Sequence, residues 1–583
     1  MGDGRSLRRS VARLIRRGPF TGQPIFPSRQ SCPAPTSAGR IDGRRAWPLA
    51  ACEERLVHSS SGFTVPFRFA ASIALLISFS AVSADDQPSE ATKPASDSPA
   101  VELKKPEVDD ERADDAETPK VTTHAAEIGG KTIEYTATAG TLPLSGEDEK
   151  QKANLFFVAY TVAPEGDSPR PLTFCFNGGP GSSSVWLHMG MLGPKRVELP
   201  NEPVVPRPPT KVIANPYSLL DVTDLVFIDP VSTGYSRPIE GEKKEQFHGY
   251  KEDLESVGRF IHLYTTKYGR WGSPKFLCGE SYGTLRAAGL AEHLQDRYNL
   301  ELNGIVLVSM VLDFQTLLDQ PTNDLPFILF LPSYATTAWY HKQLSDEMQA
   351  KSVEEVAQEA REFALGEYAT ALLKAGDLPA EKRQEIIDRY AAKTGLAPDF
   401  VRRSEFRVPQ ERFGKMLLRE QDLSVGRFDS RYSGPERDAA GSMTRHDPSA
   451  AALFGPFTAA LYQYLRDDLR IEKEVPYEIL TGKVHPWSYD EFTNRYVESA
   501  TPLSEAMARN PHLKVFVANG YYDLATPFLA AEYTLSRLLP AVRRENVTMA
   551  YYEGGHMMYV HEPALEQLRE DLLKFYETAA PSQ

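Results

Sequence analysis

Short, almost continuously hydrophobic runs recur along the chain from about residue 125, and each is bounded by Gly, Pro or Asp. Strands that are buried on both faces of a sheet need such runs, because neither face meets water. Amphipathic stretches suited to helices lie between several of the runs, including 252–268 and 284–298. The alternation predicts the α/β class, with helices covering a mostly parallel sheet. The predicted strands are 152–162, 172–176, 224–229, 275–278, 304–309, 513–518 and 547–552.

The interval 314–502 interrupts this alternation with long helical patterns. One of them begins at Ser352 with the spacing of a capping box, and another covers 380–393. An insertion between two strands of an open α/β sheet is expected over the carboxyl edge of the sheet, where ligands bind. We therefore expect an α/β domain formed by 125–313 and 503–580, with 314–502 as a helical cap. A helical domain independent of the sheet is the alternative interpretation.

The first 84 residues differ in character from the rest of the chain. Residues 1–60 contain eleven Arg and no Lys, and an apolar run at 70–80 ends in small residues before Asp85. The run is shorter than the roughly 20 residues needed to span a bilayer, so it predicts a signal peptide cleaved after Ala84. We expect a secreted or periplasmic protein whose translation starts downstream of Met1. An Arg-rich leader or an organelle transit peptide is the alternative for residues 1–60.

Residues 85–124 are rich in Asp, Glu, Ala and Pro, and they are predicted to form a disordered linker. The whole chain has 79 acidic and 65 basic side chains, which gives a formal net charge of -14. A surface of this sign repels phosphate backbones, so nucleic acid is not expected as a partner.

Cysteine and histidine usage indicates neither a disulfide scaffold nor a metal centre. Of the four cysteines, Cys175 and Cys278 follow the predicted cleavage site. Buried thiols are the expected state, and a single bridge between neighbouring strands is the alternative. The chain has neither an HExxH motif nor paired CxxC motifs, and we expect no metal and no cofactor.

A Gly-x-Ser-x-Gly pentapeptide occupies residues 279–283, between the predicted strand 275–278 and a helical pattern. A serine at the tip of a sharp strand-to-helix turn projects its hydroxyl above the sheet, where it can act as a nucleophile. The sequence therefore predicts Ser281 as the nucleophile. A turn serine without a chemical role is the alternative on this local pattern alone.

A serine hydroxyl is a weak nucleophile until a base removes its proton, so a His and an orienting carboxylate are required. Asp523 lies in the loop after the predicted strand 513–518, and His556 lies in the loop after 547–552. The order Ser, Asp, His along the chain is that of α/β-hydrolases. The pattern predicts a catalytic triad of Ser281, Asp523 and His556 on an α/β-hydrolase fold.

The tetrahedral intermediate of such a reaction needs two backbone N–H donors. One is expected from Tyr282, directly after the nucleophile. The glycine-rich loop 177–184 follows the buried strand 172–176, and its consecutive glycines allow amides to face a substrate. We predict Gly179 as the second donor.

Taken together, these motifs resemble the serine carboxypeptidase family, peptidase family S10, and the resemblance extends from about residue 150 to 575. The matching segments are 177–181 (Asn-Gly-Gly-Pro-Gly), 227–236, 279–282, Asp523 with its preceding aromatic turn, and 555–557 (Gly-His-Met). The resemblance implies that Asn177, Glu280 and the amide of Gly178 hold the free carboxylate of the substrate's last residue. Features that differ from the family pattern include Cys175 in place of a usual Trp and Ser182 in place of a usual disulfide Cys. Gly283-Thr284 in place of Ala-Gly and the run 557–559 (Met-Met-Tyr) in place of Met-Val-Pro differ as well.

A glutamate beside a bound carboxylate repels it when both groups are ionised, so one of the two must carry a proton. Burial and the bound anion are therefore expected to raise the pKa of Glu280. The resemblance then implies a serine-type carboxypeptidase that works through an acyl-enzyme on peptide or protein C-termini and favours acidic pH. An esterase or acyltransferase with the same triad is the first alternative, and a non-catalytic secreted binding protein is the second. We expect no stable membrane span after signal cleavage, and a homodimer is possible.

Overall fold

The computed structural model describes residues 118–580, except 147, 165, 167 and 538–543. The predicted leader and signal peptide lie outside the described residues, as do 85–117 of the predicted linker. The end of that linker differs from the prediction, because a strand begins at Lys120 and pairs along its whole length with the next strand. This strand is polar on its exposed face, which gives it the composition of a linker.

The described residues contain one large sheet and two small antiparallel pairs. The strands are β1 (Lys120–Ile128), β2 (Lys131–Ser145), β3 (Gln151–Thr161), β4 (Leu172–Phe176), β5 (Lys195–Val197), β6 (Val212–Ala214), β7 (Asp224–Ile228), β8 (Arg237–Pro238), β9 (Lys275–Glu280), β10 (Gly304–Val308), β11 (Leu423–Val425), β12 (Ser433–Pro435), β13 (Lys514–Gly520) and β14 (Val547–Tyr552). All seven predicted strands are present, with ends that differ by up to two residues.

The large sheet has the order β1-β2-β3-β7-β4-β9-β10-β13-β14, and β8 pairs with the edge of β3. Strands β7, β4, β9, β10, β13 and β14 are parallel, whereas β1, β2 and β3 are antiparallel to their neighbours. The mostly parallel sheet of an α/β-hydrolase is thus confirmed. Parallel strands bring the loops that follow β4, β9, β10, β13 and β14 to one edge of the sheet.

Helices cover both faces of this sheet and fill the insertion. They are α1 (Tyr250–Lys267), α2 (Tyr282–Tyr298), α3 (Leu325–Tyr340), α4 (Asp346–Gln349), α5 (Val353–Phe363), α6 (Ala369–Lys374), α7 (Ala380–Thr394), α8 (Pro398–Arg403), α9 (Gln410–Met416), α10 (Pro448–Asp467), α11 (Ala500–Arg509), α12 (Phe528–Ser536) and α13 (Glu562–Ala579). Among these, none is both long and apolar enough to cross a membrane.

Successive side chains of the central strands contribute to separate hydrophobic cores on the two faces of the sheet. In β4, Phe174 and Phe176 join the core beneath α1 and α2, whereas Cys175 joins the opposite core beneath α10 and α13. Cys175 and Cys278 are paired positions of β4 and β9 and are free, buried thiols, so the alternative of a disulfide between them is wrong.

The insertion between β10 and β13 contains α3 to α11, and its helix signals are read correctly from sequence. Ser352 and Glu355 form the capping box of α5, and α7 ends at Gly395 with a left-handed φ of 71°. One helix differs from the prediction of a cap at the sheet edge. The apolar side of α10 belongs to the core on the sheet face, where Tyr464 bonds Tyr160 of β3 (Oη–Oη 2.9 Å).

Candidate active site

Ser281 lies in the turn between β9 and α2, and its backbone is strained there. Its φ of 58° and ψ of -128° are unfavourable for a residue with a side chain. The turn is held because Ser281 N donates to Val308 O of β10 (3.0 Å) and Thr284 N donates to Ser281 O (2.8 Å). A Cβ at Gly279 would lie 2.2 Å from Gly283 O, so the two flanking glycines allow the chain to reverse this sharply. The turn presents the hydroxyl at the carboxyl edge of the sheet.

Asp523 and His556 meet at the same edge, each in the loop that follows its strand. His556 Nδ1 lies 2.9 Å from Asp523 Oδ2, and the Asp523 side chain is fully buried. The carboxylate is fixed because Ala525 N (2.7 Å) and Thr526 N (2.9 Å) donate to Oδ1, while Thr526 Oγ1 donates to Oδ2 (2.7 Å). With Nδ1–H donated to Asp523, Nε2 is the imidazole nitrogen left to accept a proton.

The protonation of His556 reflects burial and its charged neighbours. Burial lowers the pKa of His556, but the nearby Asp523 carboxylate raises it, and the net direction is upward. The main chain of His556 is also anchored, since its N–H donates to Phe428 O of the insertion (2.5 Å) and its carbonyl accepts from Ser309 Oγ (2.6 Å). The main chain of His556 is therefore held both by the loop after β10 and by the insertion.

Ser281 and His556 line one cavity under the insertion. Among the described residues, no hydrogen bond joins the Ser281 hydroxyl to His556, so proton transfer between them requires the two side chains to come closer. The cavity walls are mainly apolar. They are formed by Trp186, Val311, Phe314, Leu317, Phe428, Phe454, Leu480, Ala525 and Met557.

Two glycines bring the loop after β4 against the start of α2. A Cβ at Gly178 would lie 2.4 Å from Tyr282 N, so this close approach is possible only for glycine. Gly179 has a φ of 107°, which residues with side chains rarely adopt. The loop is fixed from below because Ser184 N and Oγ both donate to Asp229 Oδ1 (3.0 Å each). Burial raises the pKa of Asp229 to about 6.

Glu280, directly before Ser281, is buried with 3% of its surface exposed and also lines the cavity. Burial raises the pKa of Glu280 to about 7, although His556 and the hydrogen bond from Tyr559 oppose the shift. Tyr559 Oη donates to Glu280 Oε2 at 2.6 Å. A carboxyl group with this pKa carries its proton in mildly acidic solution and loses it just above neutrality.

Asn177 lies near Glu280 in the wall of the cavity, and one of its polar groups lacks a partner. Its Oδ1 accepts from Leu187 N (3.1 Å), and its main-chain carbonyl accepts from Arg286 Nη1 (2.6 Å). Its Nδ2 is buried without a hydrogen bond of good geometry to any described residue, although it is near enough to Glu280 to lower that group's pKa. A buried amide donor without a partner is costly, and a ligand in the cavity would satisfy it.

The predicted site residues are thus brought to one place. Ser281, His556, Glu280, Asn177, Gly178, Gly179 and Tyr282 all line the cavity, and Asp523 lies behind His556. Sequence reasoning did not identify Tyr559, Thr526 or Arg286 as supporting residues. Thr526 and Tyr559 each follow a predicted triad member by three residues, and this spacing is the feature of the sequence that could have pointed to them. Across the described part of the chain, no group of three or more His, Cys, Asp or Glu side chains is placed to hold a metal ion.

Comparisons with known proteins agree with this geometry at the level of family. The chain is 29% identical over 157 residues to serine carboxypeptidase-like 33 of Arabidopsis thaliana, an alignment that covers 26% of the chain and 31% of that protein. It is 33% identical over 137 residues to the pheromone-processing carboxypeptidase KEX1 of Saccharomyces cerevisiae, covering 22% of the chain and 17% of that protein. The matched parts therefore span less than a third of either relative.

Solved structures that resemble the chain include proline iminopeptidase of Mycobacterium smegmatis, with 14% identity, a TM-score of 0.32, and coverage of 76% of this chain and 98% of that one. Another is a serine hydrolase of Cycloclasticus zankles, with 12% identity, a TM-score of 0.33, and coverage of 76% and 100%. The profile of the family described as serine carboxypeptidase matches residues 131–568, which is most of the chain. The chain belongs to the serine carboxypeptidase family.

Proposed function

We propose that this protein is a serine carboxypeptidase that removes the last residue of peptides through an acyl-enzyme and works best in mildly acidic solution. The observation that carries the proposal is the pair formed by Asn177 and Glu280 beside Ser281. An unpartnered amide donor and a buried carboxyl of raised pKa offer two hydrogen-bond donors to a substrate carboxylate. A hydrolase that acts in the middle of a chain has no use for such a pair.

The reaction begins with attack of Ser281 Oγ on the carbonyl carbon of the last peptide bond, while His556 Nε2 takes the hydroxyl proton. Asp523 holds the ring and stabilises the imidazolium that forms. The amides of Tyr282 and Gly179 donate to the oxyanion, since neither is used in a hydrogen bond among the described residues. His556 then protonates the leaving amine, and water attacks the acyl-enzyme by the same steps in reverse.

The substrate carboxylate is held by Asn177 Nδ2, the Gly178 amide and the protonated Glu280. When Glu280 ionises, its charge faces the carboxylate in a site with little water, and binding is lost. Activity on peptides with a free terminus therefore declines as pH rises through about 7. An esterase or acyltransferase would use the same triad, but it does not account for the Asn177–Glu280 pair.

The proposal is tested by incubating a peptide mixture with the protein at mildly acidic pH and following the products by mass spectrometry. Ladders shortened one residue at a time from the carboxyl end are expected. Ser281→Ala should give no ladder and no labelling by a fluorophosphonate probe. Products of internal cleavage, or equal turnover of a peptide acid and its C-terminal amide, would count against a carboxypeptidase.

We also propose that the protein is exported, on the sequence of residues 70–84. N-terminal sequencing of the protein recovered from the periplasm or medium should begin at Asp85. Recovery of the uncleaved chain from the cytoplasm would contradict export. Homodimer formation stays a prediction, which light scattering after size-exclusion chromatography tests.

A further inference from the structure

The cavity above Ser281 contains a cation that the proposed mechanism does not use. Arg427 lines the cavity together with His556, and it is the only Lys or Arg among the described residues that do so. The cavity that it lines has mainly apolar walls, with Trp186, Phe314 and Phe454 among the lining residues. A guanidinium beside apolar walls is partly desolvated, so its interaction with an anion is stronger than in open water.

The position of Arg427 is fixed relative to the triad by its main chain. Arg427 N donates to Asp447 Oδ1 (3.1 Å), and Leu524 N, next to Asp523, donates to Arg427 O (3.1 Å). The following residue, Phe428, accepts the N–H of His556. The segment is therefore attached to the loop that carries Asp523 and to the loop that carries His556. The Arg427 side chain thus starts from backbone that is fixed relative to both residues.

The guanidinium of Arg427 has no counterion within the described residues, because no Asp or Glu oxygen lies within 4.0 Å of it. It rests over the ring of Phe428, 5.5 Å from the centroid. Two other arginines of the insertion do have a carboxylate partner, since Arg431 is paired with Asp429 and Arg361 with Glu532, both at 2.7 Å. An unpaired cation in a cavity is unfavourable unless a ligand supplies the anion.

Arg427 also stands at the junction of two cavities. Leu317, Arg427 and Ala525 line both the cavity above Ser281 and a neighbouring one that extends toward α3 and α9. Asp319 and Glu411 line the far cavity, beyond ion-pairing distance of the guanidinium in the described structure. A peptide held at its carboxyl end by Asn177 and Glu280 therefore has Arg427 in the same cavity as the residues on either side of the bond to be cut.

We propose that Arg427 selects substrates that carry an acidic side chain on one of the two residues flanking the scissile bond. The inference rests on the proposed carboxypeptidase function and adds the class of side chain that the site prefers. A guanidinium offers two parallel N–H donors to a carboxylate, and an amide side chain of the same shape lacks the charge. The local cation also offsets the repulsion that a chain with more acidic than basic side chains exerts on acidic peptides.

The test compares kcat/KM for N-blocked peptides of neutral residues in which Glu or Gln is placed at the last or at the penultimate position. The measurements are made at pH 6 and low ionic strength, where the Glu side chain is ionised. We expect the wild-type protein to prefer Glu over Gln about tenfold at one of the two positions. Arg427→Met should bring that ratio to about one, and Arg427→Lys should retain part of it because the charge remains.

Arg495→Met is the matched control, since Arg495 also lies over a neighbouring phenylalanine ring, Phe492, but does not line the cavity. This control should keep the wild-type ratio. A wild-type ratio of one at both positions overturns the inference even if the Arg427 variants fail to fold. Hydrolysis of the Gln peptides with no preference for Glu refutes the inference alone, whereas no hydrolysis of any of the peptides refutes the proposed function.

Discussion

The role of Glu280 leads to a prediction about pH that separates it from the triad. A protonated Glu280 holds the substrate carboxylate, and its pKa is raised to about 7 by burial. In the free enzyme the protonated fraction falls tenfold for each pH unit above that value. At pH 8 the wild-type kcat/KM for a peptide acid should therefore be about a tenth of its value at the plateau. Glu280→Gln donates a hydrogen bond at every pH, so the decline should disappear.

The same substitution should leave the acid limb of the profile nearly unchanged. Burial lowers the pKa of His556, the Asp523 carboxylate raises it, and the charge of an ionised Glu280 raises it further. With a pKa of about 7, Glu280 is largely protonated where the acid limb lies, so Glu280→Gln removes little charge there. Because His556 must be neutral to accept the serine proton, activity of Glu280→Gln should begin at about the same pH as that of the wild type.

The assay measures kcat/KM from pH 4 to 9 for a blocked dipeptide acid and for its C-terminal amide. It is made with the wild type, Glu280→Gln and a control variant, Glu553→Gln. Glu553→Gln is the matched control, because Glu553 is exposed, precedes His556 by three residues and does not line the cavity. It should leave the profile unchanged. The reasoning would be refuted if the alkaline decline persisted in Glu280→Gln, or if the amide showed the same decline in the wild type.

Tyr559→Phe removes a hydrogen bond that lowers the pKa of Glu280, so the alkaline decline for peptide acids should move to higher pH, as the same kinetic profile will show. Gly178→Ala places a methyl carbon 2.4 Å from the first amide of α2, so kcat should fall at least 100-fold while circular dichroism stays native. Asp253→Ala leaves the fully buried Arg286 unpaired, so the free energy of unfolding in urea should fall by about 3–5 kcal/mol.

Sequence alone was sufficient for β3 and the parallel strands of the central sheet, and for the expectation that Ser281, Asp523 and His556 lie at one edge of it. Continuous apolar runs mark strands covered on both faces, and the parallel strands carry the residues that follow them to one edge. Ser281, Asp523 and His556 each follow such a strand, so their proximity was predictable although Ser281 and His556 are far apart along the chain. The strain at Ser281 follows equally from its place between strand and helix.

Contacts between separate layers were not predictable in the same way. Tyr559 donates to Glu280 from a position 279 residues away, and neither local sequence shows the other. The apolar stripe of α10 indicates that one face is buried but does not say whether that face meets the cap or the sheet. Likewise, β1 has too few apolar residues to be distinguished from a linker until its pairing with β2 is known.

The main-chain bonds between the insertion and the hydrolase loops limit how this protein admits and releases molecules. Phe428 O accepts from His556 N, Arg427 O accepts from Leu524 N, and Ser430 N donates to Tyr522 O. A rigid swing of the insertion away from the sheet would break all three and displace acid and base together. Substrates and products must therefore enter and leave through the mouth of the cavity while the insertion stays in place. Heating that loosens the insertion should abolish turnover before the sheet itself unfolds.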